Sequence, residues 1–223
     1  MNSRYGRVEV VWGKICAGYT HEIKNILAII NESKGLIEDI HHLNKQTDQV
    51  FQEKISASLD IIQQQVERGE RLSSLMNTFA HTPDQEVASV SIKDTLSVLV
   101  GLSERFARNK KISLELDEQP NKLTLVTRPV EFMHLLFVGL ELALAVLESE
   151  DDIRIGFHRD QAEYLIRFSL PLKETFPEAS PEYLEVMQDI CGVLQSTVQW
   201  VEDPPGLLFT FPAEPSFSSS AEA

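Results

Sequence analysis

The chain has 223 residues, 43% hydrophobic and 24% charged, which is enough for one or two modest domains with real cores. Its net charge of −14 is unevenly spread: residues 1–82 carry 9 Lys and Arg against 10 Asp and Glu, and the remainder carries 11 against 24. That balance argues against nucleic-acid binding through a basic patch, and against any general attraction of the C-terminal part for polyanions. Cys16 and Cys191 are distant in sequence, match no metal-ligand spacing and fit buried structural roles in a reduced compartment. No apolar run is expected to cross a bilayer, and Met1 opens no signal segment, so the expectation is a cytoplasmic protein with no room for a separate sensing domain.

From about Val8 to His42 the chain lacks proline. Val11, Ile15, Ile23, Ile26, Leu27, Ile30, Ile37 and Ile40 recur at helical spacing and form one broad stripe. The polar run Asn44–Asp48 interrupts it. A second helix is predicted from about Gln49 to His81, with Phe51, Ile55, Leu59, Ile62, Val66, Leu72, Met76 and Phe79 at near coiled-coil spacing. Thr82-Pro83-Asp84 ends it. Two long helices with a short connector make an antiparallel hairpin whose core is too small to stand alone. Two copies around a twofold axis would bury both stripes in a four-helix bundle, so a homodimer through residues 8–81 is expected.

Within the first helix lies His21-Glu22-Ile23-Lys24-Asn25. With Ile23 on the seam, His21 and Asn25 fall about 200° away and share an outer face, four residues apart. Glu22 is then expected beside the imidazole, with Lys24 one residue past the seam. A neutral imidazole is a good nucleophile near neutral pH when a neighbour fixes its tautomer.

The stretch Gly13-Lys14-Ile15-Cys16-Ala17-Gly18-Tyr19-Thr20-His21-Glu22-Ile23-Lys24-Asn25 resembles the H-box of two-component sensor histidine kinases, and the hairpin resembles their dimerisation and histidine-phosphotransfer domain. The resemblance implies that His21 is the phosphoacceptor, that Glu22 acts as its base or orienter, and that Asn25 positions water if the protein acts as a phosphatase. Thr20 and Lys24 are the flanking candidates for contact with a partner receiver. Ile26 stands where many family members carry a helix-kinking proline, which argues against a kinase-type bend here.

Beyond Pro83 the pattern alternates. A helix is predicted over residues 91–108, short strands at Ile112–Leu116 and Leu123–Val126, and an apolar helix from Pro129 to about Leu147. Strands at Ile153–His158 and Tyr164–Leu170 form a hairpin, Pro181–Leu194 is a helix, and Ser196–Val201 and Leu207–Phe211 are strands. The order predicts an α/β sandwich over residues 83–215, with one sheet and helices on one face, followed by a polar disordered tail at 216–223. The overall expectation is an α+β protein, a hairpin at 1–82 and then the sandwich.

This second part resembles the ATP-binding domain of the same kinases, with its catalytic parts missing. Arg128-Pro129-Val130-Glu131 opens the helix corresponding to the nucleotide-box helix, and Leu142 replaces the Mg²⁺-binding Asn. Ser169-Leu170-Pro171-Leu172-Lys173 stands where an Asp-x-Gly-x-Gly turn would read adenine. No glycine lies between Gly156 and Gly192, although such glycines let backbone N–H groups approach phosphates. The resemblance therefore implies a histidine phosphotransferase of a phosphorelay. His21 takes a phosphoryl group from a receiver-domain aspartate and passes it to another receiver. No cofactor is expected on this chain, and Mg²⁺ is expected on the partner receiver. Two other readings stand beside it: a non-catalytic scaffold or regulator that binds a kinase or response regulator, and a divergent autophosphorylating kinase.

Overall fold

A computed structural model describes residues 7–43, 49–118, 122–171, 181–215 and Phe217. The polar connector Asn44–Asp48, the stretch 172–180 and, apart from Phe217, the tail at 216–223 lie outside the described residues.

The hairpin consists of α1 (Val8–His42) and α2 (Gln49–Ala80). A 3-10 turn at Thr82–Asp84 follows, with Pro83 in its first positions. Helix α1 runs through Ile26 as one 35-residue element, as expected of a stretch without proline. Its buried line is Val11, Ile15, Gly18, Glu22, Ile26, Ser33 and Ile40. The seam therefore passes through Glu22, one residue before Ile23, which is only half-buried. Steps of three, four and seven keep these residues on one side of a 3.6-residue helix.

The second unit begins with β1 (Ala88–Ser91), a strand the sequence pattern did not announce, and continues with α3 (Ile92–Asn109), β2 (Ser113–Leu116), β3 (Thr124–Thr127) and α4 (Pro129–Val146). It ends with β4 (Asp152–Asp160), β5 (Glu163–Ser169), α5 (Pro181–Leu194), β6 (Thr197–Glu202) and β7 (Pro205–Pro212). Strands β1 and β3 form a small antiparallel pair. The main sheet has the order β2-β4-β5-β7-β6, parallel only between β2 and β4. Ser91 caps α3, its side-chain hydroxyl accepting a hydrogen bond from the Asp94 backbone N–H.

Alternation along β4, β5 and β7 sends Ile153, Ile155, Phe157, Ile166, Phe168, Leu207, Phe209 and Phe211 to one buried face. Aromatic rings knit that face together: Phe168 and Phe209 lie 5.2 Å apart between centroids, and Phe132 of α4 meets Phe211 edge-on at 5.1 Å. Helix α4 is buried almost all round, from Phe132 to Leu144. By length and composition it is long and apolar enough to cross a bilayer, contrary to the expectation from the sequence. Most of its surface is packed inside the protein, which is the other way a helix apolar on every side can be accommodated. Cys191 is buried as expected, and burial pushes its thiol up from the ordinary value. Cys16 is exposed instead, because it follows Ile15 on the outer side of α1.

The second unit sits directly on the open end of the hairpin. Val11, Ile15 and Phe79 belong to the same apolar core as the sheet and α4, and Trp12 packs on Phe79 at 4.8 Å. Gly18 allows the Phe106 ring of α3 against α1; a Cβ there would lie 3.0 Å from Phe106 Cζ. Lys14 pairs with Glu141 of α4 and lies over the Phe106 ring.

Gly139 faces Phe209 so closely that an added Cβ would stand 2.5 Å from its Cζ. Gly139→Ala should therefore destabilise the protein by about 1–2 kcal/mol despite alanine's better helix propensity, because overpacking outweighs that gain. Chemical denaturation monitored by circular dichroism reads this as a lower midpoint; an unchanged or higher midpoint would contradict the packing.

Candidate functional site

His21 and Asn25 are exposed on α1, as the helical spacing predicted. Asn25 Nδ2 lies 3.2 Å from His21 Nδ1. The amide can serve either tautomer, since either end of it can face the ring. As donor it engages an unprotonated Nδ1. Turned over, its Oδ1 accepts from Nδ1–H and leaves the Nε2 lone pair available for attack. Thr20 is exposed and its hydroxyl donates to the Cys16 carbonyl at 2.9 Å; Lys24 is exposed on the same stretch.

Glu22 lies in a different setting. It is 7% exposed, and its hydrogen bonds run to Arg68 of α2 and Arg108 of α3 rather than to the imidazole. Arg108 Nη2 lies 2.7 Å from its Oε2, and Arg105 Nε 3.7 Å from its Oε1. A carboxylate this deep in a helical seam needs compensation, and three guanidinium groups supply it. The orienting contact at Nδ1 thus comes from Asn25, four residues on, and not from Glu22. A second pair, Arg71 with Glu104 at 3.0 Å, flanks the cluster.

A cleft of about 360 Å³ opens beside these groups, with His21, Asn25, Arg68, Arg105, Arg108 and Asn109 among the residues around it. The arginines were not singled out from the sequence. Arg105 and Arg108 do sit three apart on α3, beside its apolar Leu102 and Phe106, but nothing in the local pattern tied them to α1.

On α4, Leu142 is 2% exposed and apolar, and the neighbouring Glu141 carboxylate is paired with Lys14. Leu170, after β5, is 3% exposed. These side chains do not fit an Mg²⁺–nucleotide at the positions the kinase resemblance indicates. Among the described residues, no group of three or more His, Cys, Asp or Glu is placed to hold a metal ion.

Solved structures similar to this chain include the histidine kinase AdeS of Acinetobacter baumannii, at 14% identity over 87% of this chain and 98% of that one, with a TM-score of 0.51. The catalytic domain of the histidine kinase ThkA matches at 13% identity, over 58% of this chain and 97% of that one, also with a TM-score of 0.51. The chain has the histidine-kinase fold. The hairpin followed by a mixed-sheet ATPase-like unit is the histidine-kinase arrangement, and the match to AdeS covers 87% of this chain. No family model matches the chain, and no curated protein does. In this fold His21 lies on the outside of the hairpin and Leu142 inside the second unit.

Glu22→Ala would leave three arginines facing one another, all partly exposed. The expected loss is about 2 kcal/mol, below that of a fully buried pair because solvent screens these cations. His21→Ala, at an exposed position, should stay within about 0.5 kcal/mol of the parent. Urea denaturation of both variants checks this; equal losses would show that the Glu22 cluster contributes little.

Proposed function

We propose that this protein is a histidine phosphotransferase of a two-component phosphorelay. In this reading, the Nε2 lone pair of His21 attacks the phosphorus of an aspartyl phosphate on a receiver domain. The P–N bond forms, the P–O bond to the aspartate breaks, and the aspartate leaves as a carboxylate. Asn25 Oδ1, accepting from Nδ1–H, holds the reactive tautomer. The same steps in reverse pass the group to the aspartate of a second receiver. Phosphoryl transfer of this kind asks the histidine side mainly for positioning, since the metal and the acceptor pocket belong to the receiver.

The observation that carries the reading is the contrast between an accessible His21 with Asn25 at its ring nitrogen and a buried, apolar Leu142 where a Mg²⁺ ligand would be needed to use ATP. Thr20 and Lys24, exposed beside His21, are proposed as part of the surface that meets the receiver, with Lys24 suited to the acidic surroundings of a phosphoacceptor aspartate. The cytoplasmic location and the homodimer belong to the same proposal. Leu27, Leu59 and Val66 are 54%, 53% and 41% exposed on the hairpin, and these apolar positions favour a second copy completing a four-helix bundle.

Incubated with a receiver carrying labelled phosphate on its aspartate, the wild type should acquire acid-labile label, and His21→Gln should acquire none. ATP labelled at the γ-position should leave both unlabelled. Label from ATP on the wild type would favour an autokinase, and no label from any phosphorylated receiver would favour a scaffold. Leu27→Glu combined with Leu59→Glu should halve the mass seen by light scattering, from dimer to monomer; a wild type already monomeric at micromolar concentration would overturn the dimer.

A further inference from the structure

Glu22 is outnumbered by the cations around it. Arg68, Arg71, Arg105 and Arg108 gather about Glu22 and Glu104, an excess of two positive charges in a chain whose net charge is −14. Both arginines of α3 that reach Glu22, and Arg68 of α2, also line the cleft that holds His21 and Asn25. Arg105 stands 3.7 Å from Glu22, beyond hydrogen-bond length, and Arg108 engages it through a single nitrogen while its side chain is 53% exposed. Each guanidinium carries five N–H donors in a planar fork, so most of that donor capacity is not used on Glu22.

We propose that Arg105 and Arg108, supported by Arg68, form the cradle that binds the phosphoryl group once it is on His21. Glu22 holds the arginines together in the unmodified protein, and the phosphoryl oxygens take over part of their hydrogen bonding after transfer. The inference rests on His21 being the phosphoacceptor and adds residues and a role that the phosphotransfer reading does not contain. A phosphoryl group brings close to two negative charges and three acceptor oxygens, which matches the surplus of the cluster. Because Arg105 and Arg108 belong to α3, the ATPase-like unit supplies ligands to the phosphorylated hairpin. That gives this unit a task independent of nucleotide.

Phosphoramidate, a small phosphoryl donor, tests the cradle without any receiver. Nε2 of His21 forms a P–N bond to its phosphorus as the P–N bond to the donor nitrogen breaks, and that nitrogen, already protonated in the zwitterionic donor, leaves as ammonia. Loading of the full-length wild type, followed by the ³¹P resonance of phosphohistidine, should be about tenfold faster than loading of Arg105→Gln/Arg108→Gln, the scale of losing one charge-assisted hydrogen bond to the reacting group. Arg105→Lys/Arg108→Lys, which keeps the charge without the fork, should fall between them. Should the glutamine variant not fold, the wild type alone still decides: sulfate should slow its loading several-fold more than chloride at equal ionic strength. Equal loading rates for wild type and glutamine variant, equal slowing by the two salts, or no loading of wild-type His21 would each overturn the cradle. A clear arginine dependence here together with failed transfer from phosphorylated receivers would leave the cradle standing and overturn the relay.

Discussion

A carboxylate buried in the seam of a long helix needs its charge met, and that requirement organises this molecule. Glu22 at 7% exposure is compatible with folding because Arg68 reaches it from the other hairpin helix and Arg105 and Arg108 reach it from α3. The pairing therefore ties three helices at one point. The same contact fixes the rotation of α1, since a seam through Glu22 leaves His21 and Asn25 on the exposed flank beside it, about 100° and about 60° around the helix. Lys14 with Glu141 and the Phe106 ring against Gly18 extend the attachment along α1 from Glu22 toward the open end. That exposed flank is thus oriented by the packing beside it.

The two halves of the chain differ in what they expose. The hairpin presents an accessible imidazole with an amide at its ring nitrogen. In the second unit, Leu142 and Leu170 are buried, and α4 is absorbed into a continuous core with the sheet. The unit keeps its architecture around apolar side chains and presents its polar groups at the surface. Its arginines beside the His21 cleft are the chemically specific part of that surface.

Much of the fold could be read from the sequence because it rests on periodicities. The proline-free stripe of α1, the near-heptad run of α2 and the alternation Ile153-Ile155-Phe157 each give their element directly. The strand β1 was missed because it is four residues long and half exposed, with a burial pattern too weak to alternate. The exposure of His21 and Asn25 was expected from a seam at Ile23 and holds with the seam at Glu22, where they lie on its flank; the placement of Glu22 was not expected. On an isolated helix a glutamate belongs outside; only the distant arginines on α2 and α3, 46 and 86 residues further along the chain, make an inward glutamate stable. Cys16 failed for a similar reason, since cysteine is commonly buried and only the true seam angle shows it exposed.

The central claim is that phosphate passes through His21 from one receiver to another with no nucleotide involved. It is tested most directly in one mixture without ATP: a first receiver carrying labelled aspartyl phosphate, freed of its small-molecule donor, a second unlabelled receiver, and a catalytic amount of this protein. The account predicts that label reaches the second receiver with the wild type and not with His21→Gln. Label that reaches it equally with His21→Gln, or never leaves the first receiver across a panel of receiver pairs, would contradict it.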